Sequence, residues 1–421
     1  MEIYLDYNGT CPLDPEVREA VSQTMETLWE NPSSRRGGGQ KCKTAVENAR
    51  QEIAKMINAQ PEEIVFTSGG TEANNMVIYS AIQAYHQFIS SRVIDPPFEG
   101  AMVNLDPVPH IISTNIEHDS VSKVLDFLES KRLCQVTKLQ VEVRSGAVSE
   151  FGMAGAIRPN TCLITVMSAN NETGVVQPVD EIVNQLKEVN EKRSELFLPF
   201  VRVHTDAAQK IGKLPVNVRE KGDGIDFLTI VGHKFYGTRI GALFVRRGVP
   251  IYPMLFGGGQ EKSIRPGTEN TPMIVGLGKA AEIVNSKLKE FTLHMTEMRD
   301  YLETLLTESF GKEILINFKR VDRLPNTSSV TFKCLPGTVL AADLLASCNR
   351  LVASTGAACH SENPRPSAVL LACGLSEESA MRTVRFSVGR QTTFRELQDA
   401  VKEICQVIGS MEKTSNGPVS D

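Results

Sequence analysis

Short apolar runs alternate with longer amphipathic stretches through the middle of the chain, and this alternation constrains its fold most strongly. The run FVRVHT at 200–205, for example, follows a stretch at 179–193 in which Ile182, Val183 and Leu186 recur at helical spacing. Further runs that are too short and too β-branched for helices lie near 64–66 and at 110–114, 162–167 and 226–231. The alternation predicts an α/β fold with a large, doubly wound, mostly parallel sheet.

The pattern changes at about residue 275, where a long helical stretch is followed by shorter strands and a final helix. We therefore predict a large domain at 16–274, a smaller α+β domain made of 1–15 and 275–410, and a disordered tail at 411–421. The run IGALFVR at 240–246 follows its predecessor too closely for a helical crossover, so it is predicted to pair antiparallel. The segment 90–109 carries four prolines and is predicted to be a surface loop.

Composition narrows the classes of function. With 41% hydrophobic and 23% charged residues and a net charge of −5, the 421-residue chain has a soluble globular profile and no basic surface for nucleic acid or an anionic membrane. No apolar run approaches the thickness of a bilayer. Nine cysteines without a CxxC pair argue against a disulfide framework or a metal site, and they favour a reducing cytosol.

Two motifs place chemistry at the ends of consecutive predicted strands. HTDAAQ at 204–209 carries Asp206, and VGHKFYG at 231–237 carries Lys234. A lysine amine can form a Schiff base with the aldehyde of pyridoxal phosphate, and a carboxylate can keep its pyridine nitrogen protonated. A lysine at a strand end is usually a surface charge, so the interpretation depends on what else converges at the same sheet edge.

Further polar residues follow other predicted strands. Gly70 and Thr71 stand where a glycine turn opens a helix, which suits a phosphate, although a plain helix cap has the same pattern. His118 could stack on a cofactor ring or be a hydrogen-bonded structural histidine. Asn171 and Gln209 could donate to a phenolic oxygen of the cofactor.

Three features lie later in the chain. The loop FGGGQEKSIRPGTEN at 256–270 contains Thr268 and could be a flexible linker or cross to a partner chain. Cys359 lies in a turn-rich segment of small residues, where a thiol is expected to be accessible. Arg385 offers a planar fork for a substrate carboxylate, or else a surface salt bridge.

Taken together, these motifs resemble the cysteine desulfurase and selenocysteine lyase family of fold type I pyridoxal-phosphate enzymes. The resemblance runs from YLDYNGT to RFSVGR, with TSGGTEANN, EHDS, NNETG, HTDAAQ, GHKFYG, GGGQE, RPGTEN and GAACHSEN in the family's order. The last of these, with LTIVGHKFYG and the proline-bearing insert, is similar to the selenocysteine lyase branch.

The resemblance implies pyridoxal 5'-phosphate as cofactor, with Lys234 as the Schiff-base lysine, Asp206 on the pyridine nitrogen and His118 stacked on the ring. It also implies a homodimer, in which Thr268 reaches the phosphate of the other subunit. The other implied roles are phosphate binding by Gly70, Thr71 and His233, contact with the phenolic oxygen by Asn171 and Gln209, substrate binding by Arg385 and Asn8, and catalysis by Cys359. Val231 departs from the family, where a phosphate-binding serine is common three residues before the lysine.

The activity implied is release of selenium from L-selenocysteine to give L-alanine, with a selenium-accepting protein as a possible partner. The alternatives are a cysteine desulfurase that forms a persulfide on Cys359, an aminotransferase, and an inactive scaffold. The residues that bind the cofactor do not choose among these substrates.

Overall fold

The computed structural model describes residues 2–94, 105–219, 224–355 and 365–415. The strands are β1 Ile3–Tyr4, β2 Ile64–Thr67, β3 His110–Thr114, β4 Gln135–Leu139, β5 Thr161–Thr165, β6 Arg202–Asp206, β7 Phe227–Val231, β8 Gly241–Val245, β9 Ile314–Asn317, β10 Thr327–Phe332, β11 Leu351–Val352 and β12 Thr383–Ser387. The α-helices are α1 Pro15–Thr27, α2 Gly39–Met56, α3 Gly70–Ile94, α4 Asp119–Ser130, α5 Glu150–Gly155, α6 Val179–Glu195, α7 Thr271–Phe310, α8 Ala341–Ser347, α9 Ala368–Ala372, α10 Glu377–Met381 and α11 Phe394–Ser415.

A seven-stranded sheet with the order β2-β8-β7-β6-β5-β3-β4 forms the centre of the molecule. Strands β7, β6, β5, β3 and β4 run parallel, and β8 is antiparallel to both of its neighbours, as predicted for 240–246. The predicted α/β fold is therefore confirmed. No helix within the described ranges is both long enough and apolar enough to cross a bilayer.

Both faces of this sheet are buried except at its edge strand β4, which explains why most of its strands are mainly apolar runs. Successive side chains point to opposite faces: Ile111 and Leu163 pack with α3 and α4 on one side, whereas Ile112 and Ile164 enter the core on the other side. Helices α2, α6 and α7 contribute to that second core. The carboxyl ends of the parallel strands are left as the open edge.

A separate hydrophobic cluster forms around the three-stranded sheet β12-β10-β9. The N-terminal arm joins it through Ile3 and Leu5, and β1 pairs with β11. Helix α7, 40 residues and about 60 Å long, supplies Leu277 to the first core and Leu302 to this cluster. The predicted domain boundary at 274/275 therefore falls inside a continuous helix.

Most predicted elements are found within a residue or two of their expected bounds, and two differ. Helix α3 continues to Ile94, so the predicted loop at 90–109 begins as helix; residues 95–104 lie outside the described residues. Helix α11 continues to Ser415, so the predicted disordered tail at 411–421 also begins as helix. Apolar residues on α11, including Ile404 and Ile408, pack into the second cluster.

Candidate active site

Five strands of the central sheet deliver polar residues to one edge. Asp206 is the last residue of β6, and Lys234 lies three residues after β7. His118, Asn171 and Thr71 follow β3, β5 and β2, respectively. All five strands run in the same direction, because β2 and β7 are both antiparallel to β8, which lies between them, and β7, β6, β5 and β3 are parallel to one another. Their carboxyl ends therefore bring side chains that are distant in sequence into one space.

These side chains surround a cavity of about 330 Å³. All the predicted site residues except Thr268 and Cys359 line it; they are Asn8, Gly70, Thr71, His118, Asn171, Asp206, Gln209, His233, Lys234 and Arg385. Thr268 is exposed and lies elsewhere, and Cys359 falls outside the described residues. The cavity has the size of a small-molecule site.

Lys234 points its amine at the N-terminal arm. Its Nζ donates to the backbone carbonyls of Asn8 and Gly9, at 2.8 Å each. Burial lowers the pKa of this amine below its ordinary value, and the nearby Arg385 cation lowers it further. A lysine in this setting releases its proton more readily than a surface lysine, as a nucleophilic amine requires.

Asp206 accepts two hydrogen bonds that hold it at the floor of the cavity. Asn74 donates from Nδ2 to Oδ2 at 2.8 Å, and the backbone N–H of Ala208 donates to Oδ1 at 3.0 Å. Both bonds fix the direction of the carboxylate. A carboxylate held in this way could accept a hydrogen bond from a protonated heterocyclic nitrogen.

The amino end of α3 forms a shallow cup for an anion. A Cβ built on Gly70 would lie 2.6 Å from Val231 Cγ2, so only glycine fits against the end of β7. Val231 lies where the family commonly has a hydroxyl, and its methyl group packs on this turn instead. Burial lowers the pKa of His233 to about 4, with Lys234 adding to the effect, so the His233 ring is neutral beside the cup.

Arg385 enters from β12 and is fixed from two sides. Its Nη2 donates to Asp6 Oδ1 at 2.5 Å, and its Nη1 donates to the carbonyl of Asn171 at 3.0 Å. Its Nε is buried without a partner among the described residues. The guanidinium is therefore oriented before any ligand arrives, with its Nε–H unused among the described residues.

The structure adds residues that the motifs did not single out. Asn74, Ser120 and Gly9 also line the cavity. Behind it, buried Lys213 donates from Nζ to Gln209 Oε1 at 3.2 Å, and burial lowers its pKa to about 8. Buried Glu117 lies near Asp206, and burial raises its pKa to about 8. Only the spacing of TSGGTEANN could have suggested Asn74, because the other side chains meet through the fold.

Residues 3–93 and 98–399 match the aminotransferase class-V family, and the chain belongs to this family of enzymes, which depend in general on pyridoxal phosphate. Among its relatives is a selenocysteine lyase of Rattus norvegicus, 47% identical over 99% of this chain and 96% of the relative. A cysteine desulfurase, IscS of Dictyoglomus turgidum, is 36% identical over 98% of this chain and 96% of the relative. A solved NifS-like protein superposes with a TM-score of 0.83 at 29% identity, covering 97% of this chain and all of that one.

Proposed function

We propose that the protein is a selenocysteine lyase, which uses pyridoxal phosphate to remove selenium from L-selenocysteine and gives L-alanine and selenide in the presence of a reductant. The observation that carries the proposal is that Lys234 and Asp206 line the same cavity at the carboxyl ends of the parallel strands. Similarity to a selenocysteine lyase over nearly the whole chain supports the substrate. A cysteine desulfurase is the second candidate, supported by relatives of lower identity.

The residues present fit the cofactor. Lys234 would take the aldehyde, Asp206 the pyridine nitrogen, and the α3 terminus with Thr71 and His233 the phosphate. His118 would stack on the ring, and Asn171 and Gln209 would approach its phenolic oxygen. When bound, pyridoxal phosphate supplies a ring that withdraws electrons from the substrate α-carbon.

The chain's own groups would perform the remaining steps. Arg385, with Asn8, would bind the substrate carboxylate, which can use the free Nε of Arg385. The lowered pKa of Lys234 makes its neutral amine easier to form, and that amine can accept the α-proton. The bond from Cβ to selenium would then break with its electron pair left on Cβ, which gains a proton. Selenium would leave at the zero oxidation level, either bonded to the Cys359 sulfur or with Cys359 supplying the proton to Cβ. Two external thiols would then reduce it to selenide and form a disulfide.

We also propose a homodimer in which Thr268 completes the phosphate site of the other subunit. Its loop is tied to the start of α3, because Arg265 Nε donates to Glu72 Oε1 at 2.9 Å. The run Met254, Leu255 and Phe256 is exposed beside this loop, with Phe256 at 84%. Exposed apolar runs of this kind are typical of interfaces. The cytosol is the proposed location, and a selenium-accepting protein is a proposed partner.

Alanine release from L-selenocysteine and L-cysteine, measured in parallel with a thiol reductant, tests the substrate. The proposal predicts much faster release from selenocysteine. Comparable rates, with Cys359→Ser abolishing release from cysteine, would favour the desulfurase. Lys234→Ala is the negative control and is expected to release no alanine from either substrate.

A further inference from the structure

Asn74 is fully buried on α3 and makes three side-chain hydrogen bonds. Its Nδ2 lies 2.8 Å from Asp206 Oδ2 and 2.8 Å from Ser120 Oγ, and its Oδ1 lies 2.7 Å from Thr229 Oγ1. A carboxylate only accepts, so the amide nitrogen must face Asp206. Both amide hydrogens are then used, and the Thr229 hydroxyl must donate to Oδ1.

The orientation of the Asn74 amide also fixes which groups donate in the hydrogen bonds further from the cavity. Thr229 has one hydroxyl hydrogen and gives it to Asn74, so its oxygen accepts from His204 Nε2 at 3.1 Å. Burial lowers the pKa of His204 to about 4, so the ring carries a single hydrogen, which lies on Nε2. Nδ1 of His204 accepts from Thr165 at 2.8 Å. Every hydrogen from Thr165 to Asp206 therefore has one assignment.

A second branch leads from Asn74 to His118. The Ser120 hydroxyl accepts from Asn74 and lies 2.8 Å from His118 Nδ1, and the Ser120 backbone N–H lies 3.1 Å from the same atom. A backbone N–H can only donate, so Nδ1 of His118 is the acceptor, and the ring hydrogen lies on Nε2. The same amide thus sets hydrogen bonds to both residues that would contact the cofactor ring.

We propose that Asn74 is a positioning residue for Asp206 and His118, and that the buried Thr229–His204 pair fixes the orientation of its amide. With both of its bonds in place, the carboxylate of Asp206 keeps one orientation and would accept a hydrogen bond from the pyridine N–H. This inference rests on the proposed function, since it concerns how tightly pyridoxal phosphate is held and how its ring nitrogen is protonated.

Thr229 provides the cleanest test, because its side chain does not line the cavity, whereas its hydroxyl joins Asn74 to His204. Thr229→Val keeps the shape and removes the hydroxyl; Thr229→Ser keeps the hydroxyl and is the matched control. The measurements are the dissociation constant of pyridoxal phosphate and the ¹⁵N chemical shift of its labelled ring nitrogen.

Thr229→Val removes the bond that orients the Asn74 amide, so the charge-assisted bond from Asn74 to Asp206 is expected to weaken with it. Cofactor binding should fall roughly tenfold, and the ¹⁵N signal should move towards that of a neutral pyridine. Thr229→Ser is expected to match the wild type in both. A purely structural role would lower the melting temperature without moving the ¹⁵N signal. Equal dissociation constants and equal ¹⁵N shifts for Thr229→Val and Thr229→Ser would overturn the inference.

If Thr229→Val does not fold, the same measurements can compare Asn74→Ala with Asn75→Ala. This comparison changes the residue that contacts Asp206 directly. Asn75, the next residue on α3, donates to the carbonyls of Thr71 and Ser120 and does not touch Asp206. Asn74→Ala should weaken binding at least tenfold relative to Asn75→Ala, and equal binding would overturn the inference. A wild-type protein that binds no pyridoxal phosphate would instead overturn the proposed function.

Discussion

At the scale of single residues, the pKa of Lys234 decides how readily its amine can react with an aldehyde. Burial and the Arg385 cation both disfavour its ammonium form, so its pKa lies below the ordinary 10.5. Capture of pyridoxal phosphate by cofactor-free protein needs the neutral amine. The capture rate, followed by visible absorbance, should therefore rise with pH through a midpoint below 10.5.

Arg385→Ala should shift that midpoint upwards, because it removes a cation and leaves Asp6 unpaired beside the amine. Arg382→Ala, on an arginine that binds Glu378 away from the cavity, is the control and should leave the midpoint in place. An unchanged midpoint in Arg385→Ala would contradict the electrostatic account of Lys234.

Glu117 makes the stability of the cofactor-free protein depend on pH. Burial raises its pKa to about 8 from 4.5, so between these pH values the folded chain holds a proton that the unfolded chain has released. The contribution of Glu117 to the free energy of unfolding is therefore fully present below pH 4.5, and it is lost as the pH rises towards 8. Glu117→Gln cannot titrate. Its free energy of unfolding should exceed that of the wild type by a margin that grows from pH 5 to pH 8.

Denaturant unfolding across that window provides the measurement for Glu117. Glu290→Gln, on an exposed position of α7, is the matched control and should follow the wild-type curve. If Glu117→Gln runs parallel to the wild type instead, Glu117 ionises normally in the folded protein.

At the scale of elements, the turn between β2 and α3 fixes the anion cup. Gly70→Ala would place a Cβ 2.6 Å from Val231, so the helix terminus would have to shift. Binding of pyridoxal phosphate should weaken by at least tenfold, since the phosphate relies on the placement of the first helix amides. Gly69→Ala is a matched control, because a Cβ there meets nothing within 4 Å, and it should bind almost as tightly as the wild type.

The sequence predicted the elements that present Asp206 and Lys234 because strands buried on both faces leave an unmistakable apolar run. It could not predict the partners of Asp206. Asn74 reaches it from a helix 132 positions away in sequence, and Thr229 is adjacent only because β6 and β7 pair in the register Asp206↔Thr229. Such contacts depend on register and packing, which a single sequence does not display.

At the scale of the molecule, the motifs predicted the class of fold but not how its parts are joined. The change of pattern near residue 275 is real, yet α7 passes from one core to the other without a break. A long helix that packs against one core in its first half and another in its second half has the sequence pattern of the start of a new domain. The N-terminal arm was expected in the smaller domain, with Asn8 at the site, but the motifs did not predict that Lys234 donates to the carbonyls of Asn8 and Gly9.

The proposed homodimer can be tested by mixing two inactive variants. Lys234→Ala and Thr268→Ala each damage one component of a shared site. A mixed dimer would contain one site with both changes and one with neither, so subunit exchange should restore alanine release. Activity that stays at the sum of the separate variants would contradict a site shared through Thr268.

The central claim is that Lys234 carries the cofactor in this cavity. Borohydride reduction of the protein loaded with pyridoxal phosphate, followed by peptide mass spectrometry, tests it most directly. The account predicts a stable pyridoxyl adduct on Lys234. An adduct on Lys213, the buried lysine that donates to Gln209, would contradict this claim, and so would the absence of any adduct.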